Sequence, residues 1–329
     1  MKWVLRGLAL VFVALVGALI LMRVPDTDPG EMRAKYGGAP SRFVQLDDGL
    51  NIHYRDEGPD NGNAKAPVIV LLHGSSSDIH TWQPWVDGLK ADHRVVRFDQ
   101  IGHGLTGPAK SGDYVRDAFV ADVDELANKL GLDRFVLAGS SMGGGIAMAY
   151  AMAHPEKLDG LVLVGSAGAP IRREGGGNLL FTLAAIPGVN AVLSTVTPRS
   201  LVERSLRQSV SNQDIVTPEA VDRYWEMARY PGNRAATMER MARPRVPFTA
   251  DEVARVDVPT LVMWGEEDSL VPYAAAGWYI EHLPEATLAN YPGIGHLPME
   301  EAPAKSLADL RRWLEDTLER DSARNDGTG

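Results

Sequence analysis

The sequence predicts an α/β fold: a mostly parallel, eight-stranded sheet with helices on both faces and an inserted helical cap. Three observations predict it. Short apolar runs alternate with stretches of helical period, the signature of strands joined by crossover helices. Several of those runs are continuously apolar, as strands buried on both faces must be. One long interval, residues 169–254, breaks the alternation and holds helical patterns alone.

The elements follow in order. Strands at 43–46 and 50–54 flank Asp47-Asp48-Gly49, a hairpin turn. Val68-Ile69-Val70-Leu71-Leu72 is the third strand and 95–98 the fourth; 135–138, 161–164, 260–263 and 287–291 complete the set. Helical periodicity marks 79–89, 114–130, 142–153 and 304–319. Within the interval, Thr217-Pro218-Glu219 is a helix start, with Thr as N-cap and Pro in the first turn. The chain therefore divides into an N-terminal segment (1–23), a Pro/Gly-containing tether (24–41), a main domain (42–320) with its cap at about 169–254, and a polar tail (321–329) expected to be disordered.

Composition excludes several classes. Hydrophobic residues make up 45% and charged residues 23%, enough for a large core. The net charge of −10 repels phosphate backbones, so no nucleic-acid partner is expected. Cysteine is absent, which removes disulfides, thiolate metal sites and a Cys nucleophile together. No motif implies a cofactor or metal. At the N-terminus, Lys2 and Arg6 precede an uncharged stretch closed by Arg23. Residues 7–22 as a helix reach about 24 Å, against a hydrocarbon core of about 30 Å. With Arg6 and Arg23 snorkelling, the run predicts a single-pass anchor in the cytoplasmic membrane, with the main domain on the extracytoplasmic side. The rival reading is a signal peptide cleaved near Val16-Gly17-Ala18, leaving a secreted or periplasmic chain.

The chemistry-bearing motif is Gly139-Ser140-Ser141-Met142-Gly143. Its context is a buried strand running in and a small-residue helix running out, which makes Ser141 a candidate nucleophile on a sharp strand-to-helix turn. A serine hydroxyl needs a base. His296, in the glycine-bracketed loop after the last strand, is the candidate; the other histidines lack that position. Asp268, at the C-terminal end of the strand at 260–263, is the candidate acid that orients the imidazole. Glu266 and Glu267 beside it are most simply solvated charges. The order Ser, Asp, His suits this arrangement. After the third strand, His73-Gly74-Ser75 offers the Ser75 N–H, which with the Met142 N–H forms a candidate oxyanion hole.

These residues together resemble the α/β-hydrolase family over residues 42–320, and within it capped bacterial serine hydrolases such as carboxylesterases and meta-cleavage-product hydrolases. Ser140-Ser141-Met142-Gly143-Gly144, Gly295-His296 and Asp99-x-x-Gly102-x-Gly104 carry the likeness. Ser141 stands where dehalogenases and epoxide hydrolases of the family carry aspartate, which argues against alkyl-enzyme chemistry. Leu297 follows the histidine where meta-cleavage hydrolases often carry tryptophan. The resemblance implies hydrolysis of a small, hydrophobic carboxylic ester or lactone through an acyl-serine. The alternatives are carbon–carbon hydrolysis of a vinylogous diketone on the same residues, or a non-catalytic binding protein of this fold.

Overall fold

The computed structural model describes residues 6–7, 17, 23–171 and 194–326. The strands are β1 (Ser41–Gln45), β2 (Asn51–Glu57), β3 (Val68–Leu72), β4 (Arg94–Phe98), β5 (Phe135–Ser140), β6 (Leu158–Val164), β7 (Thr260–Gly265) and β8 (Ala286–Tyr291). They form one eight-stranded sheet in the order β1-β2-β4-β3-β5-β6-β7-β8. β1 and β2 run antiparallel to their neighbours, and every pairing from β4 to β8 is parallel. The order turns back at β3, which lies between β4 and β5. In open α/β sheets the crevice outside the carboxyl ends at such a reversal is where ligands bind.

The sheet is buried on both sides because its strands are apolar at both parities. Val70, Leu72, Leu137, Leu161, Leu163, Val262 and Trp264 face one core, and Ile69, Leu71, Val136, Ala138, Val162, Val164 and Met263 face the other. The first core takes Phe119, Val123 and Leu126 of a helix at Arg116–Lys129, Ile146 and Met148 of the helix Met142–Ala153, and Tyr279 of the helix Ala274–His282. The second takes Trp85 and Leu89 of a helix at Gln83–Leu89 and Leu310, Trp313 and Leu314 of the final helix, Pro303–Asp326.

Between β6 and β7 no strand intervenes among the described residues; helices span Arg199–Ser209, Pro218–Ala228, Asn233–Ala242 and Ala250–Val253. Thr217 caps the second of them as expected, its hydroxyl accepting from the Ala220 N–H at 3.2 Å. In chain order the described helices are α1 (Pro29–Tyr36), α2 (Gln83–Leu89), α3 (Arg116–Lys129), α4 (Met142–Ala153), α5 (Arg199–Ser209), α6 (Pro218–Ala228), α7 (Asn233–Ala242), α8 (Ala250–Val253), α9 (Ala274–His282), α10 (Pro298–Glu301) and α11 (Pro303–Asp326).

Three expectations need correction. The run at 1–23 lies largely outside the described residues, and no helix among those described is long and apolar enough to cross a membrane. The expected single-pass placement in the cytoplasmic membrane, with membrane contact through an N-terminal helix, is overturned on that finding. The physical weak point was length: the uncharged stretch is shorter than the hydrocarbon core by about 6 Å. Residues 24–41, expected as a tether, instead pack on the helices before β7. Val24 N–H donates to Thr195 O at 3.0 Å, Thr27 N–H to Arg229 O at 2.9 Å, and Tyr36 Oη to Glu226 at 2.7 Å. Asp28-Pro29 starts α1, the Asp28 carboxylate accepting from the Glu31 N–H at 2.9 Å. Finally, α11 runs past its expected end near residue 319 to Asp326, because no glycine or proline stops it before Gly327. Residues 327–329 of the expected tail lie outside the described residues.

Candidate active site

Ser141 occupies the turn between β5 and α4 with φ 54° and ψ −115°, a conformation a side-chain-bearing residue adopts only under constraint. The constraint is visible on both sides. Ser141 N–H donates to Val164 O of β6 at 2.9 Å, and Ser141 O accepts from Ala167 N–H at 2.9 Å. The glycines of the motif are required by contact: a β-carbon at Gly139 would lie 2.2 Å from Gly143 O, and one at Gly143 would lie 2.3 Å from Leu72 O. Strand and helix thus pass at backbone distance and push Ser141 outward. Ser140 is fully buried, whereas Ser141 is only half-buried. α4 has no side-chain cap, and the Met142 N–H, at the positive end of the helix, meets no acceptor among the described residues.

Asp268 follows β7 and His296 follows β8, and the two meet: His296 Nδ1 lies 2.6 Å from Asp268 Oδ2, both side chains buried. The carboxylate can only accept, so Nδ1 carries the proton and Nε2 keeps its lone pair. Asp268 is itself held by the N–H groups of Leu270 (2.8 Å) and Val271 (2.9 Å) on its other oxygen. The pair sits against the end of β6. A β-carbon on Gly165 would lie 3.1 Å from His296 Nδ1 and 3.2 Å from Asp268 Oδ2. Gly165 follows Val164, the residue that holds the Ser141 N–H, so the pair and Ser141 flank one strand end.

The loop after β3 completes the group. Gly74 packs on Ser141, whose Cβ would stand 3.2 Å from a β-carbon there. Ser75 is exposed; its N–H meets no acceptor among the described residues, and its hydroxyl accepts from Arg240 Nη2 at 2.9 Å. His73 is structural. Its Nδ1–H donates to Gly74 O (2.8 Å) and its Nε2 accepts from Gln100 N–H (3.0 Å), while burial pushes its pKa down. The Asp99-x-x-Gly102-x-Gly104 segment explains itself similarly. The buried Asp99 carboxylate accepts from Ile79 N–H (3.0 Å) and Leu105 N–H (2.8 Å) and pairs with His53 Nδ1 (2.7 Å). Burial alone would push that carboxyl up; His53 outweighs it and holds the carboxyl below its ordinary value.

The structure therefore brings Ser141, Asp268, His296, Ser75 and Met142 to one end of the sheet. Sequence reasoning missed the residues behind them. Glu301 is buried and its carboxylate accepts from the N–H groups of Ser211 (2.7 Å), Asn212 (3.0 Å), Gly295 (3.1 Å) and Leu297 (3.2 Å), tying the His296 loop to the end of α5. Two acidic residues inside the apolar stretch after His296 were the available signal. Arg223 of α6 approaches Asp78 at 3.6 Å, and Glu300, pushed up by burial, accepts from Tyr224 at 3.1 Å. A separate cleft of about 540 Å³ along β8 and α11, lined by Leu288, Asp309 and Trp313, contains none of these groups.

The chain is similar to known hydrolases. Lipase 3 of Moraxella is 26% identical over 263 residues, covering 77% of this chain and 79% of that one. A 2-hydroxy-6-oxononadienedioate/2-hydroxy-6-oxononatrienedioate hydrolase of Comamonas testosteroni is 25% identical, covering 78% and 90%. Among solved structures, a membrane phospholipase A described as a bacterial virulence factor superposes with a TM-score of 0.72 at 25% identity, covering 97% of this chain and 99% of that one. Residues 67–303 match the family model of the alpha/beta hydrolase fold. With that match over most of its length, and with an eight-stranded, mostly parallel sheet to carry it, the chain belongs to the alpha/beta hydrolase family and is a hydrolase.

Proposed function

We propose that the chain hydrolyses carboxylic esters or lactones through an acyl-serine formed on Ser141. The observation that carries this reading is the His296–Asp268 pair, 2.6 Å apart and buried, at the strand end that also holds the Ser141 backbone. His296 Nε2 takes the Ser141 proton as Oγ attacks the ester carbonyl. The tetrahedral oxyanion rests on the N–H groups of Ser75 and Met142, and each donor contributes about 3–4 kcal/mol to the transition state. His296 then protonates the leaving alcohol. Water, deprotonated by His296, attacks the acyl-serine, and the acid leaves as Ser141 regains its proton. The similarity to a lipase and to a phospholipase A supports ester cleavage over other acyl transfers. Of the cap expected at about 169–254, residues 172–193 lie outside the described residues; in this reading the helices from Arg199 to Val253 bound the acyl pocket.

The test is turnover of a 4-nitrophenyl ester series of increasing acyl length by the protein and its Ser141→Ala variant. Turnover that peaks at one chain length and falls by about 10⁶-fold in the variant supports the proposal. Activity persisting in the variant overturns it. The Comamonas relative favours one second reading, carbon–carbon hydrolysis of a vinylogous diketone. Loss of dienol absorbance with no ester turnover would select it.

A further inference from the structure

The helical segment before β7 is rich in arginine, and most of its guanidiniums have a carboxylate. Arg199 meets Asp222 at 2.5 Å, Arg223 meets Asp78 at 3.6 Å, Arg234 meets Asp26 at 2.5 Å and Arg243 meets Asp113 at 3.2 Å. Arg240, on α7, differs. No carboxylate pairs with it among the described residues, although the chain carries 43 acidic residues against 33 basic ones. Its Nη2 donates to Ser75 Oγ at 2.9 Å, and its Nη1 is shut away from water with no hydrogen-bond partner among the described residues. Nη1 lies 3.7 Å from where a β-carbon on Gly102 would stand, in the wall formed by the Gly102 turn and Tyr114.

Among the described residues no carboxylate compensates this cation. Burial is the largest influence and lowers its pKa to about 10; Tyr114 opposes that shift, and Arg245 adds to it. The nearby His103 and His73 are buried, and burial pushes both down, so they present neutral rings and no countercharge. A half-buried guanidinium without a carboxylate partner is unfavourable unless an anion completes it. Arg240 reaches Ser75, whose N–H is one of the two oxyanion donors in the proposed mechanism. A guanidinium also presents paired donors that match a carboxylate or phosphate.

We propose that Arg240 binds an anionic group, carboxylate or phosphate, carried by the substrate ester, and so selects anionic esters over neutral ones of the same size. The inference rests on the ester-hydrolase reading of Ser141. Nη2, with two hydrogens, donates to the anion while keeping Ser75 Oγ. The anion is therefore held beside the oxyanion position, separated from the scissile carbonyl by a short spacer.

Two matched pairs test this and locate the charge. Mono-4-nitrophenyl glutarate against 4-nitrophenyl butyrate places a carboxylate on the acyl side. A butyryl glycerol phosphate against monobutyrin places a phosphate on the alcohol side. The expected result is a higher kcat/KM for the anionic member of one pair. In Arg240→Met that anionic-to-neutral ratio falls by about 10- to 100-fold, mainly through KM, and Arg240→Lys recovers part of it. A ratio near one in both pairs, or an equal loss on charged and neutral esters, overturns the proposal. If the wild type turns over no ester, the reading of Ser141 fails separately. Calorimetric titration with glutarate and with inorganic phosphate then decides on Arg240. Binding that weakens at least about tenfold in Arg240→Met sustains the anion site, and equal or absent binding overturns it.

Discussion

Asp268 Oδ2 lies 2.6 Å from His296 Nδ1 because the two residues leave the carboxyl ends of adjacent parallel strands, β7 and β8. Replacing Asp268 by Asn keeps the shape but lets the side chain donate, which favours the wrong imidazole tautomer. In the proposed mechanism kcat falls by about 10⁴-fold in Asp268→Asn, with an unchanged circular dichroism spectrum. Stopped assays on a 4-nitrophenyl ester check this, and a loss under about tenfold would remove Asp268 from the role.

Glu301 gathers four N–H groups, two on each side of the contact between α5 and the His296 loop. Glu301→Gln replaces charge-assisted bonds by neutral ones and turns an amide NH2 toward at least one of those N–H donors. The expected cost is about 1–3 kcal/mol of unfolding free energy in a urea titration. Turnover should fall with it, because the same bonds set the height of His296.

Gly165 combines φ 52° with contact distances to the His296–Asp268 pair. A methyl group there meets both strain and crowding. Gly165→Ala should lower kcat by at least about tenfold, since an ångström-scale displacement of a catalytic group is enough for that. A variant that retains full kcat would show that the pair tolerates displacement.

The pH dependence of stability has a definite sign. His73 and His103 are buried with pKa values pushed down by burial, His103 the further of the two. Below the unfolded value of about 6.5 the unfolded chain binds protons that the folded chain does not. Stability therefore falls as pH drops below about 6.5, by about 1.4 kcal/mol per pH unit for each ring, until the folded pKa is reached. Denaturant titrations between pH 7 and 5 read this slope. His103→Gln should remove one proton from it; an unchanged slope would mean that His103 does not contribute.

The strands were legible because burial on both faces demands uninterrupted apolar residues, as in Val68–Leu72, whose observed bounds match those expected. Met142–Ala153 likewise begins and ends where its small-residue pattern does. Elsewhere ends shifted by a few residues: β6 starts at Leu158 rather than 161, because pairing with β5 extends the strand past its apolar run. The N-terminal segment was misread for two reasons. Its apolar run falls short of a membrane, and the Asp28-Pro29 helix start sits among residues whose prolines and glycines suggest a tether.

By itself the sequence determined the parallel α/β sheet and the candidates Ser141, Asp268 and His296, because strand burial and the glycines at Gly139 and Gly143 are local demands written into neighbouring residues. Only the tertiary structure decided that Asp268 meets His296, that Glu301 holds the histidine loop, and that Arg240 comes to Ser75 with no carboxylate among the described residues. Those contacts join residues far apart along the chain. Their distances follow from strand order and helix packing, which no local pattern of residue types encodes.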